Sequence, residues 1–235
     1  MLKAVFFDLD GTLLPMDLQQ FIEVYIKLLC KKMMEFGYEP KLLAKTVYNG
    51  TMKMYGNDGS KSNEEIFWDY FASIYGNEKL KDKSIVDEFY LNEFRETKLV
   101  CKENPFARKI IDFCKENNIE VYLTTNPFFP RQGTLTRMGF IDLKDDDFRL
   151  ITTYENSRFC KPNPSYFKEI LEDYNLDPNE VIMFGNDALE DGECSLMCGI
   201  KCYMVGDYVI IKEKAKHEFV HVKMNEVIET IKKHM

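Results

Sequence analysis

Short apolar segments alternate with amphipathic segments along much of the chain. Runs rich in Val, Ile, Phe and Leu predict buried strands at residues 3–7, 119–125, 148–152, 181–184 and 200–205. Helical periodicity fills most of the intervals from residue 105 onward, and a further helix closes the chain from about residue 223. Strands that alternate with helices predict an α/β fold, a Rossmann-like three-layer core with a parallel sheet covered on both faces.

Residues 15–104 interrupt this alternation. Apolar side chains at i, i+3 and i+4 spacing predict successive helices there, beginning near Asp17, Pro40 and Ser62 and, for a further helix, spanning residues 85–94. The segment is rich in aromatic residues and predicts a helical bundle with a small core of its own. We therefore expect a core domain formed by residues 1–14 and 105–235, with an all-helical domain at 15–104 inserted after the first strand.

Two carboxylates follow the first predicted strand directly. Asp8 and Asp10 stand two residues apart and are followed by Gly11 and Thr12. Unpaired charge at the end of a buried strand is costly unless a cation is present. Open α/β sheets bind ligands at the carboxyl ends of their strands, so this pair predicts a functional site.

The segment from Phe7 to Leu13, Phe-Asp-Leu-Asp-Gly-Thr-Leu, resembles the first motif of the haloacid dehalogenase (HAD) superfamily. Most members of that superfamily are magnesium-dependent phosphatases. Members similar to this chain carry a helical cap between the first strand and the rest of the core, which is where residues 15–104 lie. The resemblance therefore implies a phosphatase-type hydrolase with a cap domain.

Two further segments resemble the second and third motifs of the superfamily. Thr125 and Asn126 end the second predicted strand, where the resemblance implies a hydroxyl that binds a phosphoryl oxygen. Thr124 faces the other way, and we favour Thr125 because Asn follows it. Lys161 begins a Lys-Pro-Asn-Pro segment that resembles the third motif, with Asn163 where Asp is common. A lysine there supplies positive charge to the nucleophile and to the incoming phosphate.

The segment from Gly185 to Asp191 resembles the fourth motif, an acidic strand end that binds the metal, but it departs from the commonest pattern, in which Asp follows Gly directly. Two registers are open. Asn186 occupies the usual ligand position with Asp191 behind it, or Asp187 is the ligand and is paired with Asp191. Magnesium prefers carboxylate and water oxygens, so we favour Asp187 and keep Asn186 as its neighbour.

Together the four motifs imply a mechanism. Asp8 attacks phosphorus and forms an aspartyl-phosphate, and Asp10 acts as general acid and then as general base. Mg²⁺ is the implied cofactor, bound by Asp8, by the backbone carbonyl of Asp10 and by the fourth motif. Thr125, Asn126 and Lys161 hold the phosphoryl group. The expected substrate is a small phosphorylated metabolite.

Other activities remain open. The second aspartate, Asp10, disfavours dehalogenation, which has no ester oxygen to protonate. A phosphonate-cleaving hydrolase needs a cap lysine, for which Lys27 and Lys31 are candidates. A phosphomutase, or a catalytically weak regulatory or binding member of the superfamily, is a further alternative.

Composition narrows the expected partners and location. The net charge of −8 disfavours nucleic acid and anionic membranes, since both bind basic surfaces. No apolar stretch is long enough to span a membrane, the amino terminus carries no secretory signal, and seven cysteines without a tight framework fit a reducing compartment. We expect a cytoplasmic protein. The sequence leaves its oligomeric state open.

One competing motif lies near the carboxyl terminus. Residues 217–221, His-Glu-Phe-Val-His, match the zinc-protease pattern, which requires a helix beside a cleft. The same residues fit a strand at least as well, so we disfavour a zinc site there.

Overall fold

A computed structural model describes residues 1–211 and 213–235. Within these residues one parallel sheet of six strands runs through the molecule, in the order β3-β2-β1-β4-β5-β6. The strands are β1 (Ala4–Phe7), β2 (Glu120–Leu123), β3 (Leu150–Ile151), β4 (Val181–Gly185), β5 (Lys201–Val205) and β6 (Val220–Val222). The predicted α/β fold with a parallel sheet is confirmed.

Helices cover both faces of this sheet and fill the interval after β1. The α-helices are α1 (Leu18–Met34), α2 (Pro40–Tyr55), α3 (Asn63–Tyr75), α4 (Lys83–Leu91), α5 (Ala107–Glu116), α6 (Arg131–Gly139), α7 (Ser165–Asp173), α8 (Cys194–Met197) and α9 (Val227–Lys232). Shorter 3-10 turns and one π-helical turn, Ala188–Glu193, connect them.

The central strand explains why the sheet is covered on both sides. All four side chains of β1 are buried. Val5 and Phe7 belong to an apolar cluster that continues into the helical segment, whereas Ala4 and Phe6 belong to a cluster on the opposite face. Alternate residues of a strand point to opposite faces, so an uninterrupted apolar run is what a doubly covered parallel strand requires.

The order of the strands places the carboxyl end of β1 at the point where the direction of the chain across the sheet reverses. β1 pairs with β2 on one side and with β4 on the other, and Phe7 lies level with Leu123 and Phe184. The chain moves outward from β1 to β3, and then returns to start β4 on the other side of β1. Ligands of open α/β sheets bind in the crevice that forms at such a reversal, outside the carboxyl ends of the strands.

The segment 15–104, which we call the cap segment, has helices as its regular elements. Asp17 accepts a hydrogen bond from the Gln20 N–H at the start of α1, and Ser62 with Glu65 forms a capping box at the start of α3. The segment enters and leaves the core side by side, because Met16 and Cys101 form an isolated antiparallel bridge. Its treatment as a separate domain remains a prediction.

The structure corrects one predicted helix and agrees with the strand interpretation of the residues near the carboxyl terminus. The helix expected over residues 85–94 ends at Leu91, because Asn92 leaves helical geometry (φ −117°, ψ −87°), and a 3-10 helix, Glu93–Val100, follows. Residues 220–222 form the edge strand β6. His221 therefore lies on a strand and donates from Nε2 to the Gly206 carbonyl, while His217 contacts Glu193, so the two histidines do not form a helical zinc pair.

No helix within the described ranges, 1–211 and 213–235, is long and apolar enough to cross a membrane.

Candidate active site

Asp8 and Asp10 lie just beyond the carboxyl end of β1, at the reversal point of the sheet. The Asp8 N–H donates to the Phe184 carbonyl at 3.0 Å, so β1 and β4 hold its backbone in place. Gly11 then turns the chain with a φ of +84°, a conformation that glycine adopts without strain. Both carboxylates line a cavity of about 430 Å³ between the sheet edge and the cap segment.

Lys161 connects the first motif to the fourth. Its ammonium lies 3.0 Å from Asp8 Oδ1 and 2.5 Å from Asp191 Oδ1, and its side chain is almost completely buried. Its backbone N–H donates to Asn126 Oδ1 at 2.9 Å, while the Asn126 amide donates to the Lys161 carbonyl and to Glu190. Asn126 thus fixes the lysine loop against the loop that follows β2.

Burial controls the ionisation of this group. It raises the pKa of Asp8, and the Lys161 ammonium offsets part of that rise. It also raises the pKa of Asp191 to about 6, again against the opposing effect of Lys161. Burial acts to lower the pKa of Lys161, but Asp191 and Asp8 outweigh it and raise that pKa well above its ordinary value. The lysine is therefore a fixed positive charge shared by two carboxylates.

Thr125 follows the end of β2 by two residues and lies at the cavity. Its carbonyl accepts hydrogen bonds from Thr152 and Tyr166, which hold the backbone in place. Its hydroxyl makes no hydrogen bond to another described residue, and the residue lines the cavity. The Thr124 hydroxyl, in contrast, faces the Phe7 carbonyl inside the sheet. The geometry places Thr125 where the second motif predicts it.

Asn186 and Asp187 have different surroundings. The Asn186 amide donates to the Tyr208 carbonyl at 2.8 Å, which turns Oδ1 toward the Thr12 hydroxyl. That hydroxyl also lies 3.1 Å from Asp8 Oδ2, so the oxygens of Asn186 and Asp8 converge on one atom. Asp187 Oδ1 instead accepts the Leu189 and Glu190 N–H groups at the start of the π-helical turn.

Glycines make this convergence possible. A Cβ at Gly11 would overlap the Asn186 amide, and a Cβ at Gly185 would overlap the Asp191 carboxylate. Asp191 Oδ2 accepts the N–H groups of Asn186 and Asp187 at 2.9 and 3.0 Å. Asp191 therefore holds both the lysine and the fourth-motif loop, while Asn186 faces the nucleophile position.

One central residue was missed by the sequence analysis. Arg137 of α6 is completely buried, forms an ion pair with Asp10 Oδ2, and stacks on the Phe129 ring with 4.2 Å between its guanidinium carbon and the ring centre. An arginine in the last turn of a helix is normally solvated, so the sequence contains no local signal for this role. Its guanidinium fixes the Asp10 side chain by this ion pair.

The oxygen atoms of this site suit magnesium. Asp10 Oδ1 is buried without a hydrogen-bond partner among the described residues, and Asp8 Oδ2 and Asn186 Oδ1 both accept from the Thr12 hydroxyl. Within residues 1–211 and 213–235, no three acidic, histidine or cysteine side chains are grouped to hold a metal by themselves. Magnesium commonly binds through one or two carboxylates together with water and phosphate oxygens, so such a group is not required.

The cap lysines considered for phosphonate cleavage lie elsewhere. Lys27 and Lys31 are exposed on α1, and neither lines the cavity. Among the described lining residues the only lysine is Lys161, which belongs to the core.

A sequence model of haloacid dehalogenase-like hydrolases matches residues 2–191, most of the chain. The chain belongs to the haloacid dehalogenase-like hydrolase family. This confirms the family and the hydrolase class predicted from the four motifs.

Two curated relatives are phosphatases, and a solved structure shares the fold. A glyceraldehyde 3-phosphate phosphatase from Pyrococcus furiosus is 24% identical over 99% of this chain and 94% of its own length. A phosphorylated carbohydrates phosphatase from Thermotoga maritima is 28% identical over 53% of this chain, and the match spans only 57% of that protein. The magnesium-bound structure of the HAD-hydrolase YfnB from Bacillus subtilis shares the fold, with a TM-score of 0.59 over 98% of each chain and 16% identity.

Proposed function

We propose that this protein is a magnesium-dependent phosphohydrolase that cleaves a small phosphate monoester through an aspartyl-phosphate on Asp8. One observation carries the proposal: Asp8 and Asp10 stand together at the end of the central strand, facing a cavity, with Lys161 3.0 Å from Asp8 and Arg137 paired with Asp10. The names of the relatives, which are phosphatases acting on phosphorylated carbohydrates or on glyceraldehyde 3-phosphate, support the hydrolysis of a phosphate monoester.

Two steps complete the proposed reaction. An Asp8 carboxylate oxygen attacks phosphorus, the bond from phosphorus to the alcohol oxygen breaks, and Asp10 gives its proton to the departing alcohol. Asp10 then takes a proton from water as the water oxygen attacks the aspartyl-phosphate, which releases inorganic phosphate and restores Asp8. Protons and oxygens balance, because one water is consumed for each ester.

The surrounding residues bind and orient the phosphoryl group. Lys161 places a fixed positive charge beside Asp8, and the Thr125 hydroxyl is available to a phosphoryl oxygen. Asn126 holds the lysine loop in register with Thr125. These contacts position the phosphorus in line with the nucleophile and lower the cost of the charge that develops on its oxygens.

Asp8, the backbone carbonyl of Asp10 and Asn186 would hold the magnesium ion, with Asp191 behind them. We favour Asn186 over Asp187 because its amide oxygen shares the Thr12 hydroxyl with Asp8. Bound there, magnesium would supply positive charge against the phosphoryl oxygens. Members of this family generally use Mg²⁺, which agrees with this donor set.

The test is hydrolysis of p-nitrophenyl phosphate with and without magnesium. We expect phosphate release that requires magnesium and that falls at least ~10⁴-fold in Asp8→Asn, because the nucleophile is lost. Asp69→Asn, an exposed carboxylate on α3, is the matched control and keeps wild-type turnover. Magnesium-independent turnover, or an active Asp8→Asn variant, would contradict the mechanism.

A further inference from the structure

The cavity beside Asp8 is larger than a phosphoryl group requires. Its volume of about 430 Å³ falls in the range of sites that enclose whole small molecules. It extends from the carboxyl edge of the sheet to α1 and α2 of the cap segment. The space beyond the phosphoryl position is therefore available to the alcohol part of the substrate.

The two walls of this cavity differ in chemistry. The core wall carries the charged residues, among them Asp8, Asp10 and Lys161. The wall opposite, formed by the cap segment, is largely apolar, and its members include Leu18, Ile22, Ile26, Ala44, Val47 and Tyr48. None of the described lining residues contributed by the cap segment carries a charge.

Two of the three side-chain hydroxyl groups on the cap wall are already engaged, and the third belongs to Tyr48. The Tyr25 hydroxyl is 2.8 Å from the Tyr90 hydroxyl, and the Thr51 hydroxyl donates to the Val47 carbonyl of its own helix at 3.0 Å. A polyol bound against this wall away from Tyr48 would leave hydroxyl groups without partners, which costs roughly 1–3 kcal/mol for each buried group. Such a wall disfavours a sugar and favours a hydrocarbon.

Apolar side chains at the cavity remain in contact with solvent. Leu18 is 42% exposed, Ile22 is 46% exposed and Tyr48 is 66% exposed, although all three line the cavity. These side chains surround one opening instead of being scattered over the surface. A contiguous apolar surface of this kind is typical of a ligand-binding groove.

We propose that the substrate is a phosphate monoester of a bulky apolar alcohol, whose hydrocarbon or aromatic part packs against α1 and α2. This proposal rests on the phosphohydrolase function proposed above and concerns the same cavity. It separates this chain from relatives named for carbohydrate and triose phosphates, whose alcohols are small or rich in hydroxyl groups.

A series of n-alkyl phosphates from ethyl to octyl tests the proposal. The leaving alcohols differ little in basicity, so the change in kcat/KM along the series reports contact with the cavity. We expect kcat/KM to rise about threefold to fourfold with each added methylene until the cavity is filled. Glycerol 3-phosphate is expected to be at least tenfold poorer than butyl phosphate.

Two matched variants on α1 test whether the apolar wall causes the increase of kcat/KM with alkyl chain length. Ile22→Ser, in the apolar wall, should lower the ratio of octyl to ethyl phosphate kcat/KM at least fivefold. Met34→Ser changes a similarly exposed side chain of the same helix that does not line the cavity, and it should leave that ratio unchanged. If the two variants gave the same ratio of octyl to ethyl phosphate kcat/KM, the assignment of the apolar wall as the surface that binds the alkyl chain would be wrong.

Binding of n-alkyl phosphonates in the presence of magnesium, measured by calorimetry, separates the two proposals because it requires no turnover. Hydrolysis of the esters with kcat/KM and affinity independent of chain length would overturn the apolar substrate and leave the phosphohydrolase in place. Affinity that rises with chain length without any phosphate release would overturn the phosphohydrolase and support the apolar ligand. Affinity that falls with chain length would overturn the apolar ligand whatever the turnover.

Discussion

Two sets of buried carboxylates in the core differ in the number of cations that are paired with them. Asp147, beside β3, forms ion pairs with Arg108 at 2.6 Å and with Lys115 at 2.5 Å, which together hold its pKa at about 2 although burial acts to raise it. Asp191, beside β4, shares the ammonium of Lys161 with Asp8, and burial raises its pKa to about 6. Asp147 is thus paired with two cations, whereas Asp8 and Asp191 share a single cation, Lys161.

This difference in pairing indicates that Asp147 stabilises the fold, whereas the arrangement of Asp8, Asp191 and Lys161 suits a functional site. Asp147 joins α5 to the turn before β3, does not line the cavity, and is paired with two cations. The group around Asp8 lines the cavity and retains negative charge that a cation would neutralise. Carboxylates with a raised pKa in a cleft are typical of functional sites, whereas strongly paired ones are typical of structural contacts.

The largest expected effect comes from removing the cation that the functional group shares. In Lys161→Met, Asp8 and Asp191 would lie buried against each other without a positive charge. We expect kcat to fall at least ~10³-fold, because the fixed charge beside the phosphoryl group is lost. We also expect the free energy of unfolding to fall by about 3 kcal/mol, measured by urea denaturation.

Lys161→Arg keeps the charge and serves as the comparison variant. It should recover most of the stability but little of the activity, since a guanidinium cannot take the position of the ammonium between two carboxylates. Full activity in Lys161→Met would show that the lysine only supports the fold.

A second prediction concerns the ion pair between Arg137 of α6 and Asp10. Arg137→Met keeps the stacking volume over Phe129 but leaves Asp10 without its partner. We expect a loss of about 2 kcal/mol in the free energy of unfolding and a ~10²-fold lower kcat, with KM changed less than threefold, because Asp10 acts on the leaving oxygen and not on binding. Unchanged kcat in a stable variant would separate Arg137 from catalysis.

A third prediction distinguishes the two registers of the fourth motif. Asn186→Asp should lower the magnesium concentration for half-maximal activity about tenfold, since a carboxylate would replace an amide beside Asp8. Asp187→Asn should change it less than threefold, because the Asp187 carboxylate caps the π-helical turn. The opposite order of effects, measured by magnesium titration of activity, would return the ligand position to Asp187.

These residues also show how far the sequence alone could lead. The strands and most helices follow from apolar runs and periodicity, and Asp8, Asp10 and Lys161 stand where strand ends and loops predict them. The choice between Asn186 and Asp187 depends on the direction of one backbone turn, which the Asp191 carboxylate sets through two N–H groups and which no spacing rule contains.

The positions of Arg137 and Ile22 show what helical periodicity alone does not predict. Both lie on helices whose pattern assigns Arg137 to solvent and leaves the apolar Ile22 unremarkable. Only the tertiary packing brings the arginine of α6 to Asp10 and places the isoleucine of the cap segment at the cavity. Helical periodicity identifies a buried face, but it does not tell which element covers that face.

The smallest effect is expected at the structural carboxylate. Asp147→Asn should lower the free energy of unfolding by about 1–2 kcal/mol at pH 7, less than the full pKa shift implies, because Arg108 and Lys115 are partly exposed. Since the folded pKa of about 2 lies below the ordinary value, this stabilisation is complete above pH ~5 and is lost as pH falls toward 2. The difference between wild type and variant in urea denaturation should therefore shrink by about half from pH 7 to pH 3. Asp145→Asn, in the same turn but exposed, should differ from wild type by less than about 0.5 kcal/mol at either pH. A difference at Asp147 that does not change with pH would mean that its hydrogen-bond geometry, and not its charge, stabilises the fold.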